Sequence, residues 1–87
     1  MHEMTLLVGL MKQIERIARE EKANAVSVVR VKLGALSHIS PEHFREHFEH
    51  AALGTVAEGA VLEVTQLTDI NDPNAQEILL ESLDVSD

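Results

Sequence analysis

The chain begins Met1-His2-Glu3, which places an α-amino group, an imidazole and ionisable backbone amides within one short stretch. Such nitrogens can close fused small chelate rings around one ion, and a tetragonal or square-planar nitrogen set suits Ni(II) or Cu(II). The bulk of His2 disfavours removal of Met1, so the amine is expected on residue 1. The alternative is an exposed, frayed terminal histidine that binds nothing. A second constellation is His43, His47 and His50, spaced i, i+4, i+7 and interleaved with Glu42, Glu46 and Glu49. At about 100° per residue a helix brings the three imidazoles within roughly 60° of one another. The i, i+4 pair can bind Zn(II) or Ni(II), with a third nitrogen from His50 and a nearby carboxylate. The same spacing also fits an amphipathic boundary whose histidines half-cover the edge of a core.

Other chemistry finds little support. With no cysteine there is no disulfide framework, no cysteine zinc site, no iron–sulfur cluster and no thiol nucleophile, so any metal must be held by nitrogen or oxygen. Gly9, Gly34, Gly54 and Gly59 are scattered and form no phosphate-cradling loop. Ser37-His38 are neighbours without an elbow or an orienting acid, and the carboxylates sit at solvent-facing positions that give no reason for a raised pKa. The expectation is a protein that is not an enzyme.

The elements that must position these groups follow from periodicity. Leu6, Leu7, Leu10, Met11, Ile14, Ile17 and Ala18 form one helical stripe, predicting an amphipathic helix over roughly residues 3–22. Val29, Val31 and Leu33 alternate with Arg30 and Lys32, predicting a strand over about 26–33 that Gly34 ends. Ser40-Pro41-Glu42 is a helix start: Ser40 can cap free N–H groups, Pro41 fits the first position, and Glu42 complements the dipole. Phe44, Phe48, Ala51 and Ala52 share a face of that second helix, about 41–53, and Gly54 supplies a left-handed exit. Strands are expected over about 60–67, with Leu62 and Val64 inward, and about 78–85, with Leu83 and Val85 alternating, joined by an Asn/Asp/Pro turn near 69–75. Three short strands cannot bury themselves. The fold class is therefore α+β: two helices on one face of a three-stranded sheet, order α-β-α-β-β, in a single domain.

Eighty-seven residues make one small domain, which buries only about 60–65% of the surface its unfolded chain exposes. All seven Lys and Arg fall in residues 1–45 beside five acids, whereas residues 46–87 carry ten acids and no base. The acidic half repels phosphate backbones and anionic lipid, disfavouring nucleic acid and membrane surfaces and favouring cations or basic partners. It also fits a solvated face that keeps the chain soluble. The apolar runs are too short to span a bilayer and no secretory pattern opens the chain, so a cytoplasmic protein is the default.

Met1-His2-Glu3-Met4 leads directly into the amphipathic helix. Beyond it stand Val29-Arg30-Val31, Gly34, Leu36-Ser37, Ser40-Pro41-Glu42, Phe44, Phe48-Glu49, Gly54-Thr55, and Glu58-Gly59-Ala60 with Leu62. Together these residues resemble the HypA/HybF family of nickel metallochaperones, accessory proteins of hydrogenase maturation and urease nickel insertion. The resemblance runs through residues 1 to about 67 and resumes at Leu80-Glu81-Ser82-Leu83-Asp84-Val85.

That resemblance implies a nickel domain of two helices on a three-stranded sheet, in agreement with the layout above. It implies a nickel site at the N-terminus, with His2 as side-chain ligand, Met1 and Glu3 as main-chain contributors, and Glu3 as an acid that supports the site or meets a partner. It also implies transfer of Ni(II) to a hydrogenase large subunit or a nickel-delivering GTPase, with urease as another target and homodimerisation left open. The chain departs from the family in two places. Family members carry a zinc ribbon with two Cys-x-x-Cys pairs between the second and third strands, where this chain has the short turn, so residues 1–87 read as the nickel-type domain without structural zinc. Positions 43, 47 and 50 are small or apolar in the family pattern, so the histidines are either a substitute metal site or unrelated to metal. A metal-free module docking through its acidic surface is the other reading of the whole chain.

Overall fold

In the computed structural model, which describes the backbone of residues 2–86 and the side chains of residues 4–86, the chain runs α1 (His2–Glu20), β1 (Ala25–Leu33), α2 (Pro41–Ala52), β2 (Val61–Gln66) and β3 (Ile78–Ser86). The order is the one periodicity predicts, with element ends within two residues of expectation.

The α1 stripe buries Leu7, Leu10, Met11, Ile14 and Ala18, with Leu6 packed at the margin. The helix closes without a glycine. Lys22 takes φ 56°, its N–H donates to the Arg19 carbonyl at 3.0 Å, and the Ala23 N–H donates to the Ala18 carbonyl at 3.0 Å. This pair of bonds satisfies carbonyls that the helix end would leave free. At the start of α2 the expected device is in place: Ser40 Oγ accepts the His43 N–H at 3.1 Å, with Pro41 opening the helix and Glu42 in its first turn. After Leu53, Gly54 supplies φ 77° and turns the chain away.

The sheet has the order β2-β1-β3, with β1 parallel to β2 and antiparallel to β3. The parallel pair follows from the connection, because a crossover containing α2 returns the chain to the end where β1 began. Residues 67–77 then cross the far end of β1 to reach its other side. They lie close to Gly34, whose N–H donates to the Glu77 carbonyl at 2.9 Å, while the Leu36 N–H donates to the Ala75 carbonyl at 2.7 Å. A Cβ at Gly34 would overlap the Ala75 carbonyl and come within 2.8 Å of Asn74 O, so only glycine allows this approach.

One core joins the helices to one sheet face: the α1 stripe, Phe44, Phe48 and Ala52 of α2, Val26, Val29, Val31 and Leu33 of β1, then Leu62 and Ile78. Each large side chain fully removed from water there stabilises by about 1.5–3 kcal/mol. The opposite sheet face is polar and centres on Arg30, which sits between the inward Val29 and Val31. Its guanidinium donates to Glu63 Oε1 on β2 at 3.1 Å, to both carboxylate oxygens of Asp84 on β3 at 3.1 and 3.0 Å, and to Ser82 Oγ at 3.3 Å. Val85, which alternates with Leu83 in the sequence, is 39% exposed, since it lies near the end of a strand at the sheet edge.

Candidate metal site

The two histidine constellations stand differently in the fold. The backbone of His2 and Glu3 belongs to the first turn of α1, but their side chains and the whole of Met1 lie outside the described residues. The candidate N-terminal ligands Met1, His2 and Glu3 are therefore placed only by their position in the chain.

His43, His47 and His50 lie on α2, whose other face carries Phe44 and Phe48 into the core. Burial of those rings holds the helix in rotation, and that rotation leaves His43 and His50 exposed and His47 half-buried. His43 and His47 come together: Nε2 faces Nε2 at 2.9 Å, with ring centroids 4.5 Å apart and ring planes tilted by 46°. One imidazole must then hold its proton on Nε2 while the other presents a lone pair. The direction of that bond depends on the tautomers. His50 takes a different position and lines an open groove between α2 and the start of α1, whose walls include Met4, Leu7, Glu46, His47 and Leu53. No grouping of three or more His, Asp or Glu side chains placed to share one ion occurs among the described residues.

The charges around the pair favour a cation. Glu42, Glu46 and Glu49 are exposed along α2. Arg45, the basic residue within that helix, donates to the Leu62 carbonyl of β2 at 2.8 Å. Ser37 and His38 form no catalytic pair: Ser37 Oγ is buried without a hydrogen-bond partner, and His38 is exposed at φ 62°.

Sequence reasoning did not find the groove or the part Met4 plays in it. A signal was present, since Met4 and Leu7 are three residues apart and extend the α1 stripe to the chain start. What periodicity could not supply was the packing of that turn beside the end of α2.

Comparison with known proteins sets these features in context. The family model described as hydrogenase/urease nickel incorporation, metallochaperone, HypA matches residues 1–70. Hydrogenase maturation factor HypA 1 of Bradyrhizobium diazoefficiens is 43% identical over 67 residues, covering 77% of this chain and 59% of the relative. The corresponding factor of Archaeoglobus fulgidus is 42% identical over 65 residues, covering 75% and 59%. The matched stretch thus spans less than two thirds of the length of these curated relatives. The solution structure of the Ni metallochaperone HypA from Helicobacter pylori has a TM-score of 0.78 over 99% of this chain and 98% of that one, at 19% identity. A second solution structure, of a HypA protein, has a TM-score of 0.73 over 97% and 95%, at 18% identity. At such identities these two structures share the fold, and their likeness takes in β3, which lies beyond the family-model match.

Proposed function

The chain belongs to the HypA family of hydrogenase/urease nickel incorporation proteins, and from that premise we propose that it binds Ni(II) at its N-terminus and passes it to a partner in the maturation of a nickel enzyme. His2 supplies the imidazole, the Met1 amine and the Met1–Glu3 backbone supply further nitrogens, and Glu3 supports the site or meets the receiving protein. The observation that carries this reading is the family match over residues 1–70, which begins at the residues concerned.

The chemistry of the donor set fits the cargo. No cysteine is present, and the donors at the chain start are nitrogens and oxygens of the type Ni(II) accepts. The helical assignment from His2 supports it further, because the first four N–H groups of an α-helix have no intrahelical partner. The amides of His2 and Glu3 lie among them, and the positive end of the helix dipole favours their deprotonated form. Ligand deprotonation makes affinity rise with pH. Transfer requires no bond-making catalysis, only exposed nitrogens that a receiving site can displace. The receiving partner is a hydrogenase large subunit or a nickel-delivering GTPase in the cytoplasm, with urease as the other possible destination. The connection over residues 67–77 is free of cysteine and stands where the family resemblance places a zinc ribbon, so these residues supply no cysteine zinc site beside the proposed nickel site.

The test is a nickel titration of protein with an authentic, untagged N-terminus beside His2→Ala. One Ni(II) equivalent is expected to be lost in the variant, and equal binding by both would sink the N-terminal assignment. A second reading is favoured by the apolar groove with exposed Met4 and Leu53 flanked by Glu46 and Glu49: a metal-free module that docks on a basic partner. Under that reading His2→Ala leaves partner co-purification intact, and charge reversal at Glu46 and Glu49 abolishes it.

A further inference from the structure

The geometry points to a second metal site: His43 and His47 form a two-imidazole chelate for a divalent first-row transition ion such as Ni(II) or Zn(II). Two metal–nitrogen bonds of about 2.0–2.1 Å meeting at a right angle span about 2.9 Å between nitrogens, and a tetrahedral angle spans about 3.3 Å. The observed Nε2 to Nε2 distance is 2.9 Å, so both donors already stand at the separation of adjacent positions on one ion. That separation is the one a square-planar or octahedral ion requires. A tetrahedral ion needs the rings to part by a few tenths of an ångström.

The change on binding is small and balanced. The imidazole that carries its proton on Nε2 shifts it to Nδ1, both Nε2 lone pairs then face the ion, and the ligand pair remains neutral. The hydrogen bond between the rings is exchanged for two metal–nitrogen bonds. The helix supplies preorganisation, because the two residues are one turn apart and the His43 N–H is held by Ser40 Oγ at 3.1 Å. The surrounding acids offset the positive end of the α2 dipole: Glu42 lies in the first turn, and Glu46 and Glu49 are exposed on the same helix.

Among the described residues the site brings together two protein ligands. No third His, Asp or Glu is placed to share the ion among the described residues. His47 also lines the groove that includes Met4, and Met4 follows His2 by two residues in the chain. The pair therefore stands near the start of the helix that carries the proposed N-terminal site, and suits a stopover or second cargo position. The pair stands on its own geometry and does not depend on nickel binding at His2.

The test uses the untagged full chain in four forms: wild type, His2→Ala, His2→Ala with His43→Gln and His47→Gln, and His2→Ala with His50→Gln. Each is titrated with Ni(II) and with Zn(II) by calorimetry, and imidazole 15N signals are followed in the His2→Ala protein. His2→Ala is expected to retain one equivalent of metal, with the Nε2 signals of His43 and His47 moving together. Adding the pair of glutamines should weaken that binding roughly 100-fold or more, the loss expected when a two-point attachment is removed. The His50 variant should bind unchanged. No binding by His2→Ala, or binding that survives both glutamines, overturns the proposal. Identical binding by wild type and His2→Ala overturns the N-terminal site instead, and so separates the two readings.

Discussion

The two faces of α2 (Pro41–Ala52) follow different rules although they share one backbone. Inward, Phe44 and Phe48 are 0% and 1% exposed, their centroids 6.1 Å apart, within the core shared with α1 and the sheet. Outward, His43 and His47 meet through a contact between ring nitrogens at 2.9 Å, with His43 exposed and His47 half-buried. The inner face is specified by many weak contacts that cannot all be satisfied in another arrangement. The outer face is specified by the inner one: the phenylalanines set the rotation of the helix, and that rotation decides where the imidazoles point. The metal pair proposed on this helix thus uses residues outside the core, and its position depends on core residues that never touch an ion.

The sharpest way to break that division is to remove its anchor. Phe44→Ala should cost about 3–5 kcal/mol, the range for deleting a buried aromatic side chain and leaving a cavity. Urea unfolding should show a lower midpoint at nearly unchanged slope. In a domain this small the loss consumes much of the total stability, so the same variant should also broaden the imidazole signals of His43 and His47. If those signals stay sharp while stability falls, the outer face is positioned by something other than core packing.

The inner face was also the legible one. The α1 stripe, the alternation of Val29, Val31 and Leu33, and the capping sequence Ser40-Pro41-Glu42 each express a local rule, and each element formed where its rule placed it. What local rules could not supply was assembly. The order β2-β1-β3, the passage of residues 67–77 over Gly34, and the groove between Met4 and His47 depend on contacts far apart in sequence. The candidate sites divide in the same way. The i, i+4 spacing of His43 and His47 foretold a pairing that the structure contains, whereas i+7 put His50 on the same stripe without bringing it to the same point, because seven residues along a helix also means about 10 Å of rise. The Arg30 cluster escaped sequence reading altogether. In sequence Arg30 is one polar residue of an alternating strand, and its partners Glu63 and Asp84 belong to two other strands.

Ser40→Ala probes the junction between the two faces. The hydroxyl belongs to neither, but it accepts the N–H of His43, so its loss should cost about 1 kcal/mol through the helix end and loosen the first of the paired imidazoles. Thermal unfolding would measure the first effect. The second appears as weaker binding at the pair in the His2→Ala background, and Ser40→Asp, which keeps an acceptor at the cap, should restore both. Restored stability without restored binding would show that the capping bond and the metal pair are uncoupled.

The smallest effect is expected on the polar face of the sheet, where the core supplies the strands and Arg30 supplies only a link between them. The hydrogen bonds from the Arg30 guanidinium hold the Asp84 carboxyl below the usual carboxylate range, with charge attraction adding to them and partial desolvation opposing. A depressed folded-state pKa means that the unfolded chain takes up the proton first as pH falls. The contribution is therefore fully present above the ordinary value of about 3.9 and is lost as pH drops through the lower folded value. Asp84→Asn should flatten the pH dependence of the urea midpoint below about pH 4 and change little near neutrality, because an exposed ion pair is strongly screened by water and salt. Added salt should shrink the difference between the two proteins. If wild type and variant instead differ most at neutral pH and ignore salt, the Arg30 cluster is acting as a packing element of the sheet, and the contrast between a specifying core and a merely linking exterior fails on this face.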